Sequence, residues 1–371
     1  TINLSAHGKR IFFDRDNDGV YDDADEDDDN DGITDTTEEN NCRLASFAST
    51  TDYKFLNETF GTGTTRSTAI STLYAATTNY CIEDGDSGTS SPCDASFDNV
   101  ALQDGEYTVA SFLTTGVNGE TVGPTGDAVA PWAWYAWGTI EDHTPGDTDG
   151  RMAIFNASYA PGVFYETEIK GTLANVPVTY SFWVVNIDND DSRFIAQEGP
   201  GSVPRIQPNV TVNFYTSDRS TLLATFDTGD ITRCSGAIND PNDPAYDPSD
   251  PAFNTCVTSE WKQFTQQLTT SETSFVVQFV NNAPGGGGND LAIDDIVISQ
   301  TLCDLDSDSI ADVFDLDSDN DGIPDVVEAG FASVSEGEAN LTTVAAWTDA
   351  GGNGMYDPSE GVSPLDSDGD G

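Results

Sequence analysis

Positive charge is what this chain has least of. Its 371 residues include 13 lysines and arginines against 65 aspartates and glutamates, a formal net charge of −52. No lysine or arginine follows Lys262. Phosphate backbones are bound by cationic surfaces, so nucleic acid is excluded as a partner. Histidine is nearly as scarce. His7 and His143 stand far apart, and no HExxH, GxSxG or glycine-rich phosphate loop occurs. Gly285–Gly288 follows a strand pattern, but neither a helix pattern nor a lysine comes after it, so it reads as a turn. No carboxylate pair is singled out for glycoside hydrolysis. These absences point to a non-enzymatic protein in which His143 is a structural polar residue. Long apolar runs are missing as well: none approaches the roughly 18 residues that span a bilayer, so no membrane span is expected.

Cysteine is present but in no metal-binding pattern. The six cysteines form no CxxC and lie apart from both histidines, which argues against zinc. Fifteen pairings are possible. The expected set is Cys81–Cys93 and Cys234–Cys256 as local staples, with Cys42–Cys303 joining the ends of the middle region. Disulfides of this kind fit an oxidising, extracellular compartment.

The acidic residues are arranged in register. From Asp27 to Glu38 the chain places Asp27, Asp29 and Asp31 at positions 1, 3 and 5, Gly32 at 6, Asp35 at 9 and Glu38 at 12. Hard oxygens at alternate positions, a glycine at the sharp turn and a closing carboxylate are the ligand spacing of a twelve-residue calcium loop. A preceding copy supplies Asp14, Asp16, Asp18, Asp22 and Asp25. A third supplies Asp304, Asp306, Asp308, Asp312 and Asp315, and a fourth Asp317, Asp319, Asp321, Asp325 and Glu328. A fifth begins at Asp349, with Asn353, Asp357 and Glu360, and a partial sixth holds Asp366, Asp368 and Asp370. An acidic run is ordinarily a solvated or disordered segment. Fixed spacing, and apolar Val20, Ile33, Ile310 and Ile323 at position 7 or 8, favour calcium instead.

Electrostatics gives the ion a folding role. Two like charges 4 Å apart repel by about 4 kcal/mol at an effective dielectric of 20. Each loop holds several such pairs, so Ca2+ is expected to be part of the folded state. Dependence on this much calcium implies a secreted protein at the cell surface.

The deviations are specific. Ser309 stands where loop 3 should have glycine, and Gly351 removes a ligand from loop 5. Loops 1 and 3 close with the shorter Asp25 and Asp315. These three sites are expected to be weaker or to use more water.

The loops occur as pairs, 14–41 and 304–330, related by a shift of 290 residues, with a different composition between them. Residues 1–13 read as a lead-in and 331–371 as a linker with the fifth loop and the truncated one. The middle, 42–303, carries β-branched or alternating runs at Val178–Val185, Val210–Tyr215, Leu222–Phe226, Phe275–Val280 and Leu291–Ile298. Mainly β structure follows, as a large β-sandwich or jelly roll. Asp-Pro pairs between Asp240 and Pro251 suit an extended surface loop.

At these residues the chain resembles known families. The acidic segments resemble thrombospondin type 3 repeats, in which the chain wraps around calcium with little regular secondary structure. Asp315–Asp325 and Ser363–Gly371 look like segments of large cell-surface and gliding-type adhesins of Bacteroidetes. The middle is similar to carbohydrate-binding-module-like jelly rolls, with Gly288–Ile296 as the final strand. The resemblance then makes Asn57–Gly61 the opening strand and 142–152 an internal one, with the first and last strands adjacent. That adjacency would bring Glu58 to Asp295, where with Asp290 and Asp294 it could hold another calcium.

Trp132, Trp134, Tyr135 and Trp137 are the candidate glycan surface, weighed against ordinary core packing. The expected function is a calcium-dependent structural or adhesive segment of a longer surface protein. The alternatives are a carbohydrate-binding module of a secreted glycan-degrading enzyme, or a filament subunit whose partners are copies of itself.

Overall fold

Strands form here where apolar and polar residues alternate and turn residues close each run. The computed structural model describes residues 3–4, 11–12, 14–22, 24–44, 49–84, 101–115, 121–123, 137, 140–188, 206–232, 259–283, 288–320, 323–328 and 349–351. A short antiparallel pair, β1 (Asn3–Leu4) and β2 (Ile11–Phe12), precedes the first acidic module, which runs into α1 (Asp35–Leu44). The middle begins with β3 (Ser49–Glu58), β4 (Cys81–Ile82), β5 (Glu106–Ala110), β6 (Phe112–Thr115), β7 (Thr121–Val122) and β8 (Ile140–Glu141). It continues with β9 (Met152–Phe155), β10 (Gly162–Ile169), β11 (Val178–Asn186), β12 (Asn209–Thr216) and β13 (Leu222–Asp230). Then come β14 (Lys262–Leu268), β15 (Phe275–Asn281) and the long β16 (Leu291–Asp304). A 3-10 turn (Asp312–Phe314) and α2 (Asp325–Glu328) lie in the second module.

The protein is mainly β, and its centre is a β-sandwich. One sheet has the order β10-β15-β12-β13, and the larger one β14-β11-β16-β9-β5-β4. The inward residues alternate as a half-buried strand requires. Val178, Tyr180, Phe182 and Val184 of β11 meet Val210, Val212 and Phe214 of β12 and Phe275, Val277 and Phe279 of β15. Ring pairs lock the sheets together: Phe182 meets Phe279 edge-on at 5.0 Å, and Tyr180 lies 5.1 Å from Phe214. The second face of the large sheet is covered too. Trp137, Leu113 and Ile140 pack there on Ile154, Val185 and Ala292.

The five strands read from the sequence correspond to β11, β12, β13, β15 and β16. The strand expected across 142–152 does not form; 142–151 connects β8 to β9 and touches Thr62 only through a single bridge at Gly150. The opening strand starts earlier than expected, at Ser49, and ends at Glu58.

β16 organises the molecule. β11 runs along one edge, while the other is shared end to end: Leu291–Ile293 pair with β9 and Ile296–Asp304 with β3. Where β9 gives way to β3, the register against β11 shifts, and Asp295 takes φ +47°. This is a bulge, with one residue more on β16 than on its neighbour. First and last strands are therefore adjacent, as expected. Because Ser49 pairs with Asp304, the two acidic modules leave the sandwich at the same place.

Candidate metal centre

The four described loops share one backbone design. At position 9 the carboxylate accepts a hydrogen bond from the N–H of position 2 in every case: Asp22 from Arg15 (3.2 Å), Asp35 from Asp28 (3.0 Å), Asp312 from Leu305 (2.8 Å) and Asp325 from Ser318 (3.0 Å). At position 5 the Oδ1 accepts from the N–H of position 7: Asp18 from Val20, Asp31 from Ile33 and Asp308 from Ile310. Such short side-chain to backbone bonds replace helix or sheet ladders and curl the chain around its own carboxylates.

Position 4 is left-handed in all four loops, at Asn17 (φ +67°), Asn30 (φ +63°), Ser307 (φ +67°) and Asn320 (φ +57°). Position 6 is left-handed at Gly19 and Gly32, and also at Ser309, with φ +80°. The serine thus keeps the glycine conformation rather than relaxing out of it, at a cost of about 1–2 kcal/mol.

Regular structure is more extensive than the family resemblance implies. The second loop of each module runs into a helix, α1 or α2, with Asp35 and Glu38, or Asp325 and Glu328, in its first turn. Carboxylates there are favoured by the positive end of the helix. Glu38 also closes the turn by donating its N–H to the Thr34 carbonyl at 3.1 Å.

The ligand candidates converge. Carboxylate oxygens of Asp14, Asp16 and Asp18 lie within 4.8 Å of one another, as do those of Asp27, Asp29 and Asp31, and of Asp304, Asp306 and Asp308. A further group joins Asp31 and Glu38 to Asp325, from the other module. Asp27 and Asp31 are 0 % exposed. Burial, followed by the neighbouring carboxylates Asp31 and Asp35, holds the Asp27 carboxyl well above the usual range. Burial raises Asp31 in the same way, with Asp325 the next cause, and raises Glu38, with Asp29 and Asp31 next. Burial also lifts Asp25 to about 8, Asp35 and Asp312 to about 7, and Asp16 and Asp325 to about 6.

A buried carboxylate normally has a partner or a counter-charge. Arg15 is the single base between Asp14 and Glu39, and it is bound to Asp22 at 3.0 Å. Asp31 Oδ2, both carboxyl oxygens of Glu38, and Asp304 Oδ1 are buried with no hydrogen-bond donor among the described residues. Hard oxygens that are clustered, buried and lacking donors fit a calcium ion.

The remaining expected ligands are placed as follows. Asp317 and Asp319 are partly buried in loop 4, and Glu328 lies in α2. Asp315 accepts the Asp317 N–H at 3.2 Å and is raised by burial. Asp349 lies near enough to Asp18 to help raise it. Asp321, Asn353, Asp357, Glu360, Asp366, Asp368 and Asp370 lie outside the described residues.

The jelly-roll site is not assembled. Glu58 accepts the Phe60 N–H (2.9 Å) and the Tyr165 hydroxyl (3.4 Å). Asp290 accepts the Trp137 Nε1–H (2.9 Å) and the Ala157 N–H (3.0 Å). Asp294 accepts the His143 N–H at 2.7 Å, while Asp295 meets His143 Nδ1 at 2.8 Å and accepts from the Thr144 hydroxyl at 3.0 Å. Adjacent strands put these acids close together, but each carboxylate is directed to a different donor. The His143 ring stacks on Trp183 at 3.7 Å, and its bonds to Asp294 and Asp295 tie a loop to the β16 bulge.

The aromatic expectation also changes. Trp137 is buried and bonded to Asp290, so it is a core residue rather than a ligand platform. Trp132, Trp134 and Tyr135 lie outside the described residues. Cys81 and Cys303 are not free thiols, and the expected partner side chains of Cys42, Cys93, Cys234 and Cys256 lie outside them too.

One feature was missed by sequence reasoning. A cleft of about 570 Å³ lies between the first module and the sandwich, lined by Arg15, Tyr53, Phe55, Tyr74, Arg219 and Phe314. It brings together residues from six separate stretches of chain, which no local pattern could signal.

The sequence matches no protein-family model and no curated protein. Solved structures give weak likenesses. The K3 cleaved adhesin domain of Lys-gingipain from Porphyromonas gingivalis is 14% identical with TM-score 0.27, over 67% of this chain and 98% of that one. A CBM61 carbohydrate-binding module in complex with β-1,4-galactotriose is 11% identical with TM-score 0.23, over 42% and 73%. A CBM4 module is 11% identical with TM-score 0.23, over 62% and 80%.

Proposed function

We propose that this chain is a calcium-dependent structural segment of a secreted surface protein, in which calcium loops stiffen the connection between β-sandwich domains. One observation carries the reading: four loops repeat the same hydrogen-bonded design, three of them gather their own carboxylates within 4.8 Å, and the loop 2 group is buried. Asp27, Asp29, Asp31 and Glu38 would hold an ion in loop 2, and Asp304, Asp306 and Asp308 one in loop 3. Calcium replaces the mutual repulsion of these groups with cross-links along the chain. The connector is stiff when loaded and loose when stripped. Limited proteolysis before and after exhaustive chelation tests this. Cleavage should appear first within 14–38 and 304–328, with the sandwich intact; equal resistance of all three regions after chelation removes the structural role.

A second reading, glycan binding, is favoured by the cleft. Phe55 and Tyr74 line it with ring surface that could stack on a sugar, and Arg15 and Arg219, already paired with Asp22 and Glu166, keep further N–H groups for hydroxyl or carboxylate groups. Glycan-array binding that disappears on Tyr74→Ala would support it, and a flat array would count against it.

A further inference from the structure

The loops belong to two modules 290 residues apart, yet three of their carboxylates meet. Asp31 and Glu38 come from loop 2 and Asp325 from loop 4, and each offers an oxygen within 4.8 Å of the others. The approach is built by the sandwich. Pairing of Ser49 with Asp304 starts the modules side by side. Glu39, one residue beyond Glu38 on α1, then accepts the N–H of Cys303 at 2.9 Å. Arg15 of loop 1 lies 3.9 Å over the Phe314 ring of the second module. The modules are thus docked on one another around this acidic meeting point.

A second observation points to a ligand. Glu38 is 8 % exposed, and neither of its carboxyl oxygens has a hydrogen-bond donor among the described residues. Asp31 is fully buried, and its Oδ2 also lacks one. Among the described residues Asp325 receives donors from Ser318 alone, at 3.0 Å from the backbone and 2.6 Å from the hydroxyl, which leaves lone pairs on both oxygens. Three carboxylates from two modules could not be held this close by apolar contacts alone.

We propose that one calcium ion is held jointly by both modules, with Asp31 and Glu38 of loop 2 and Asp325 of loop 4 as its ligands. This rests on the calcium reading above and goes beyond it: the ion is a clamp that closes the two ends of the sandwich domain. Each module then binds calcium more tightly because the other is in place, a coupling that loops acting singly would lack.

Calcium-dependent hydrogen exchange on the full chain tests the clamp. In Asp325→Asn, the calcium midpoint for protection of residues 27–38 should rise about tenfold. Asp52→Asn, at an exposed carboxylate of β3 that belongs to none of the loops, should leave that midpoint unchanged. The reciprocal variant Glu38→Gln should raise the midpoint for 317–328, and it decides the matter if Asp325→Asn proves misfolded by exchange in β3 and β16. Effects confined to the mutated loop in every variant would overturn the clamp while leaving the loops intact. A wild-type chain whose loops show no calcium-dependent protection would overturn the calcium reading itself.

Discussion

Phe182 in the sandwich and Asp31 in the first module are almost equally hidden from water, at 1 % and 0 % exposed. Phe182 is surrounded by Phe264, Phe279 and other apolar side chains, and its burial is favourable without help. Asp31 is surrounded by Asp27, Asp29, Glu38 and Asp325, and its burial in ionised form needs a cation. The same degree of burial therefore depends on different solution variables. If the loops bind calcium as proposed, denaturant and core mutations should act on the sandwich, and chelator and pH on the modules. A small apolar seat joins them, where Leu302, Ala311 and Val313 pack with Tyr53 and Phe314.

The strongest way to sharpen this contrast is to damage one side alone. Phe182→Ala should cost the sandwich about 3–5 kcal/mol in thermal unfolding with excess calcium, while leaving the number of bound ions unchanged. The converse is Asp31→Asn. It should weaken calcium binding at loop 2 by roughly tenfold or more, read by calorimetric titration, with sandwich unfolding in chelator unaltered.

pH separates the two regions as well. Burial raises the carboxyls of Asp25, Asp35 and Asp325 to about 8, 7 and 6, so on the proposed reading calcium would have to displace their protons. Apparent calcium affinity should therefore fall as pH is lowered from about 8 to about 6, by up to tenfold per unit for each proton displaced. Without calcium the sign reverses. Carboxyls raised by folding favour the folded state below their unfolded value of 3.8 and lose that contribution as pH rises through about 6 to 8, so the stripped modules should be more protected at low pH. Modules that unfold with the sandwich at every pH would erase the distinction.

The smallest expected effect is at Ser309. Ser309→Gly should tighten loop 3 by about 1 kcal/mol, because glycine adopts φ +80° without a Cβ penalty. Gly19→Ala should do the reverse in loop 1, where φ is +105°. A loop 3 affinity unaffected by Ser309→Gly would mean that the turn carries no strain.

The sequence made the loops and the main strands readable for the same reason: both are local periodic patterns. Spacing of two placed Asp27, Asp29 and Asp31 on one ligand set, and alternation picked out β11 and β12. β14 (Lys262–Leu268) escaped notice because its side chains are mostly polar and exposed. Long-range assembly was only half visible. The adjacency of first and last strands was readable, but its consequence was not: Asp325 meets Glu38 through the register of β3 on β16, which no loop encodes. Glu58 and Asp295 show the opposite case, neighbours along the sheet whose carboxylates take separate donors. Core packing of Trp137 is the favoured reading over a sugar platform, and its packing on Ile154 and Ala292 agrees with it.

Calcium content tests the central claim most directly. Elemental analysis of the full chain, after dialysis against trace calcium, should find at least four ions per molecule, one for each described loop. One ion or none would contradict it, because the buried carboxylates would then be held without the cation that their ionisation requires.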